Sequence, residues 1–233
     1  MPTLNTSPQS GSGGQSTDAN IELQFGDATF ISICSANGTG YVVNASAAGR
    51  VVLRGSGTAN QFDFYGGYGA TFPTSVGAGA AFSSGQLKLF GNGAKANALA
   101  GNFDIHVCAF NPANKATLVN TDWPTRGMVS FGSCPYSSWN SAGWNNIDIN
   151  SAGLSYLNGF VTGIAPLFVR FGDDLGTAFT GVWASGNVSQ VDWRSAEGVN
   201  PPVLSLVYAL PTAGNDKNNP RYRGRRWSYY GRS

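Results

Sequence analysis

The chain has 233 residues, enough for one large domain with its own core, and it holds 32 glycines with 12% aromatic and only 11% charged residues. Glycine is costly inside a helix and the helix formers Glu, Lys and Leu are few, so an all-α protein is excluded and short strands joined by tight turns are expected. The formal charge of +2 hides an asymmetry: residues 1–216 carry eight Lys/Arg against twelve Asp/Glu, whereas residues 217–233 carry six Lys/Arg and no acid. The last residues are therefore an electrostatic object of their own, suited to an acidic partner.

Along the chain, residues 1–20 read as a polar Gly/Ser/Gln arm with too little apolar surface to fold alone. From Ile21, runs rich in β-branched and aromatic residues recur between Gly, Asn, Pro and Ser. These are 28–34, 40–43, 50–54, 61–65, 85–90, 103–110, 127–132, 145–150, 166–172, 189–193 and 202–209. In the run 103–110, Phe103, Ile105, Val107 and Ala109 alternate with Asp104, His106 and Cys108, the pattern of a strand in a sandwich. Only "SAGLSYLNGF" (151–160) predicts a helix, with Leu154 and Leu157 on one face, and the glycine-dense 65–85 reads as an extended loop. The expected organisation is an arm over 1–20, a body over 21–210, and a linker with a basic aromatic arm over 211–233.

No run approaches the ~18 apolar residues of a membrane span. The first twenty residues lack the basic and apolar regions of a secretory signal. Synthesis in a host cytoplasm without export is expected. Cys34, Cys108 and Cys134 form no C-x-x-C pair and read as buried thiols rather than a disulfide frame.

Several short stretches, taken in order, resemble one family. They are "DATFIS" (27–32), "RVVLRG" with "QFDFY", "SSGQLKLF" (83–90), "NTDW" (120–123), "NIDINSAGLSYLNGF" (146–160) and "WRSAEGVNPPVLSLVYA" (193–209). Together they resemble the DNRLRE domains, jelly-roll β-sandwiches similar to carbohydrate-binding modules. The resemblance implies an all-β fold with a single jelly-roll sandwich, used on surfaces and in assemblies, and implies no catalysis.

The residues themselves offer few chemical constellations. His106, the only histidine, lies inside an alternating strand without a nucleophile elbow, so a structural role is expected and no enzyme. Asp173 and Asp174 in "RFGDDLG" are the one candidate for a structural calcium, set against a solvated turn; no other metal or cofactor is expected. Tyr136, Trp139 and Trp144 lie close together between Pro, Gly, Ser and Asn, and flat aromatics of this kind stack on sugar rings. Trp123, in the family-like turn, is expected in the core.

The tail interleaves Arg221, Arg223, Arg225, Arg226 and Arg232 with Tyr222, Trp227, Tyr229 and Tyr230. That composition suits a protein interface hot spot or single-stranded nucleic acid. Because the rest of the chain nets −4 and the tail +6, contact with copies of the chain or with other virion proteins is favoured over nucleic acid. The function expected is a structural subunit of a bacteriophage-like virion, such as a head-decoration, minor capsid or tail/fibre-associated protein held by its arms. The alternatives are a glycan-binding adhesin module and a non-viral filament subunit.

Overall fold

The computed structural model describes residues 1–9, 17–35, 48–211 and the backbone of 41–43. Over these residues the protein is all-β. Its strands are β1 (Thr3–Thr6), β2 (Asp18–Ala28), β3 (Tyr41–Val43), β4 (Ala48–Gly55), β5 (Phe62–Pro73), β6 (Ala81–Asn97), β7 (Ile105–Phe110), β8 (Arg126–Cys134), β9 (Trp144–Asp148), β10 (Ile164–Phe171), β11 (Val188–Arg194) and β12 (Val203–Ala209). Three short α-helices, α1 (Phe30–Ser35), α2 (Ser151–Asn158) and α3 (Gly172–Gly176), and two 3-10 turns, Asn120–Thr125 and Tyr136–Ser138, interrupt them.

All pairings are antiparallel, in the order β1-β12-β6-β11-β4-β5-β10-β7-β8. The sheet curls because β6 serves two parts of it. Lys88 pairs with Val203 of β12 on one side and Asn146 of β9 on the other, while further along β6 Ala96 pairs with Gln190 of β11. At the far end β8 comes back beside β9, where Asn150 donates its backbone N–H to the Phe131 carbonyl at 2.7 Å and its side-chain amide to the Ser130 carbonyl at 2.9 Å. The ring of strands encloses one core around Trp123, Trp193, Tyr65, Tyr68, Phe168 and Phe171. Burying each such ring contributes about 1.5–3 kcal/mol.

Three local expectations change. The run 28–34 is not a strand: β2 stops at Ala28, and α1 buries Phe30, Ile33 and Cys34 while leaving Ile31 61% exposed. Those buried positions are spaced three and four apart, a helical face. The Thr29 hydroxyl contacts the Ser32 hydroxyl at 2.8 Å at the start of this turn.

The glycine-dense 65–85 is not a long loop either. β5 continues to Pro73 and β6 starts at Ala81. A Cβ on Gly67 would sit 2.6 Å from the Phe168 ring, and one on Gly69 2.6 Å from the Phe110 ring. These glycines make room for aromatic rings against a strand rather than turning the chain. Finally, part of the N-terminal arm is ordered on the body: Thr3–Thr6 pair with Val207–Leu204 at the edge of β12, and β2 already begins at Asp18. The helix expected at 151–160 is α2, capped by Asn150, whose Oδ1 accepts from Gly153 N–H at 3.0 Å.

Candidate functional site

His106 projects from β7, half buried, with Nδ1 2.9 Å from the Ser130 hydroxyl of the neighbouring strand. Burial lowers its pKa below the usual imidazole value. The same hydroxyl also lies 3.2 Å from the Gly132 carbonyl. Cys34, Cys108 and Cys134 are all buried free thiols. Burial pushes the Cys108 thiol up to about 12 and raises the other two as well, so none is held as a thiolate nucleophile.

Asp173 and Asp174 do not form a solvated turn; both lie in α3, 2% and 0% exposed. Asp174 is the partner of the fully buried Arg170, four residues earlier on β10. Burial alone would lower the Arg170 pKa, and the Asp174 carboxylate beside it more than offsets this and raises it. Asp173 accepts from the Thr180 hydroxyl at 2.6 Å, and from the backbone N–H of Asn102 at 3.1 Å and of Thr180 at 3.2 Å. Both carboxylates are thus engaged by protein donors that pin α3 and the loop after it. Among the described residues no group of three or more His, Cys, Asp or Glu is placed to hold a metal ion. The sequence signal that was missed is Arg170 at i−4 from Asp174 in an otherwise apolar run.

Arg126 completes this interior polar nest. Its guanidinium stacks 3.9 Å from the Trp123 ring centroid and donates to the Trp123 carbonyl at 2.7 Å and to the Cys34 carbonyl, which ties α1 to β8. The nest fixes three surface segments from inside and opens to no solvent.

The three aromatics proposed as a cluster separate. Trp139 is 3% exposed and packs 6.0 Å from Trp193 in the core. Tyr136 lies under the Lys95 ammonium, 4.9 Å from its ring centroid. Trp144 alone stands outside, 42% exposed, edge-on to Phe90 at 5.3 Å.

Trp144 belongs to an outward polar face that periodicity builds across four strands. The rows run Val203–Lys88–Asn146 and Asn5–Ser205–Gln86–Asp148, beside Phe90–Trp144. The intervening Leu204, Leu206, Leu87, Leu89 and Ile147 point into the core. Asn5, Lys88, Trp144, Asn146 and Val203 line a groove of about 390 Å³. The Gln86 amide donates to Asp148 at 2.7 Å in the adjacent row. A flat ring beside amides and an ammonium can stack on one face of a small polar ligand while hydrogen-bonding its rim. A second groove, of about 270 Å³, is lined by Gln24, Arg50, Arg54, Phe64 and Gln190. There Arg50 and Arg54 flank the Phe64 ring, and their Nε atoms are held by Glu22 at 2.6 Å and Asp63 at 2.7 Å.

The tail residues Arg221, Tyr222, Arg223, Arg225, Arg226, Trp227, Tyr229, Tyr230 and Arg232 lie outside the described residues. The surface they would meet on another copy can be read, however. Asp18, Glu22, Asp122, Asp173 and Asp174 are buried, as are Arg126 and Arg170. At the surface of the described residues remain Asp27, Asp63, Asp104, Asp148, Asp192 and Glu197 against Arg50, Arg54, Lys88, Lys95, Lys115 and Arg194, six charges of each sign. Of the net −4 of residues 1–216, three charges are interior, and the fourth belongs to Asp216, outside the described residues.

No helix among the described residues is long and apolar enough to cross a membrane. No protein-family model matches the chain, and no curated protein matches it.

Proposed function

We propose that the protein is a non-catalytic structural subunit of a bacteriophage-like particle, a head-decoration, minor capsid or tail/fibre-associated component held in place by its C-terminal tail. The observation that carries this reading is the division of the chain into an all-β body and a seventeen-residue segment with six cations, four aromatics and no acid. Arg, Tyr and Trp are the side chains that concentrate binding energy at interfaces. The curled antiparallel sheet supplies the all-β body that this reading requires. With Thr3–Thr6 docked on their own β12, the anchoring role falls on the tail. Deleting residues 217–233 should abolish incorporation into particles, read by mass photometry and electron microscopy of the native species. Unchanged incorporation would sink the anchoring role.

A second reading, a glycan-binding module, is favoured by the Trp144 groove alone. On a glycan array it predicts binding that Trp144→Ala removes and Trp139→Ala leaves at the native level wherever the variant folds, because Trp139 is a core residue.

A further inference from the structure

We infer that the interior nest of Tyr65, Trp123 and Arg126 is a binding site for one small monovalent anion, with chloride as the fitting ion. The site is built from hydrogen-bond donors. Among the described residues, Arg126 Nε, Trp123 Nε1 and the Tyr65 hydroxyl are all buried without a hydrogen-bond partner. They gather around one indole: the Arg126 guanidinium lies 3.9 Å from the Trp123 ring centroid, and the Tyr65 ring stands edge-on to it at 4.8 Å. Tyr65 and Trp123 are 0% exposed and Arg126 8%. An unmade hydrogen bond on an enclosed donor is costly, more so on a charged one. Three such donors in one place call for a shared acceptor.

The charge balance asks for the same thing. Arg126 and Arg170 are both enclosed, and among the described residues Asp174 is the one carboxylate within ion-pair distance of either. Asp174 bonds Arg170, while Arg126 Nε stays 3.9 Å from it, beyond hydrogen-bond range. Burial lowers the Arg126 pKa below the ordinary guanidinium value and Asp174 does not offset this, whereas at Arg170 the same carboxylate more than offsets burial. The buried acids next to these residues in sequence are engaged elsewhere. Asp122 accepts from the N–H groups of Ala113 and Val119, and Asp173 from Asn102 and Thr180. Nor do neutral neighbours ionise to supply the charge, since burial raises the Tyr65 and Cys34 pKa values well above the ordinary ones. The nest thus holds one positive charge in excess, where an unpaired charge is expensive.

One anion answers both needs, accepting from the three donors and balancing the charge. A water molecule would leave the charge in place and would need acceptors for its own hydrogens. The one unpartnered acceptor of the nest, Asp174 Oδ1, belongs to a carboxylate that the Cys34 thiol already engages. A phosphate or sulfate brings more lone pairs than three donors can meet, so a single-atom ion fits best. The inference stands apart from the particle reading and would hold for this body in any assembly.

The test is equilibrium urea unfolding of the full chain at constant ionic strength, with chloride exchanged stepwise for gluconate. Once the site is near saturation, each tenfold rise in chloride should raise the folding constant about tenfold. Tyr65→Phe keeps the ring and removes one donor, and should raise the chloride concentration needed for the same stabilisation about tenfold or more. Crystals of the native protein grown in bromide should show one anomalous peak in the nest, bonded to Arg126 Nε, Trp123 Nε1 and the Tyr65 hydroxyl. Equal stability in chloride and gluconate would overturn the inference, as would a water at that place without anomalous signal. A chloride dependence that Tyr65→Phe leaves unchanged puts the ion elsewhere and overturns it too.

Discussion

Two parts of the sheet treat their outward faces in opposite ways. Around β5 and β10 both faces are covered: from Phe64 to Phe72 and from Ala165 to Phe171 every residue is buried. Across β9, β6 and β12 only one face is covered, and Trp144, Asn146, Lys88 and Val203 look outward. The doubly covered part carries the fold, and within 64–72 and 165–171 its one charged residue is Arg170, paired with Asp174. The singly covered part leaves a surface free to vary and to bind. Burial on both faces and burial on one face are thereby placed on different strands, and substitutions should separate along that line.

The largest effect is expected at the buried pair. Arg170→Met leaves Asp174, 0% exposed, without its hydrogen-bonding guanidinium and with only the Arg126 Nε, 3.9 Å away, as counter-charge, with an expected loss of about 3–5 kcal/mol in urea unfolding. The double variant Arg170→Met with Asp174→Leu should recover most of this, because the cost lies in the orphaned charge. If the double variant is as unstable as the single one, α3 is held by shape rather than by charge.

A smaller loss is expected at the glycines of β5. Gly67→Ala places a methyl 2.6 Å from the Phe168 ring, and such overpacking costs about 1–3 kcal/mol. Trp144→Ala, on the open face, should stay within about 0.5 kcal/mol of the native protein, as surface changes generally do. A loss comparable to that of Gly67→Ala would mean that the Phe90–Trp144 contact belongs to the core and that the groove is a packing feature.

The same contrast explains what could be read from the sequence. Strict alternation in "NNIDIN" and "PVLSLVYA" names the inward leucines and isoleucines of the open face directly, because a period of two has one meaning. In "PLFVRFG" every position is buried, so periodicity is silent, and the one local signal of the salt bridge is an arginine in an apolar run four residues before Asp174. "ATFISIC" misleads because β-branched residues at helical spacing fit a strand equally well, and the Thr29 turn chemistry is needed to break the tie. "YGGYGATF" misleads in the other direction: glycines next to large rings are indistinguishable, in one dimension, from glycines in a turn. The aromatics of 136–144 share composition but not direction, since the 3-10 turn at Tyr136–Ser138 and the bend after it send Trp139 inward and Trp144 outward. The interior location of five carboxylates is likewise a property of packing, which whole-chain charge cannot reveal.

The finest test of the covered part is its histidine. His106 sits on β7, next in the sheet to β10, and burial lowers its pKa below the ordinary imidazole value of about 6.5. In the folded protein the ring therefore stays neutral at pH values where the unfolded chain has already bound a proton. This group's contribution to stability is full above pH 6.5 and is lost as pH falls toward the depressed folded value. His106→Gln keeps a polar partner for Ser130 and removes the titration. Between neutral pH and the lower value its stability should fall less than that of the native protein, by a few tenths of a kcal/mol up to about 1 kcal/mol. As the sole histidine, it gives an imidazole NMR titration that needs no assignment. A midpoint at or above 6.5 would show that water reaches the ring, and that the covered region ends at β10 rather than extending over β7.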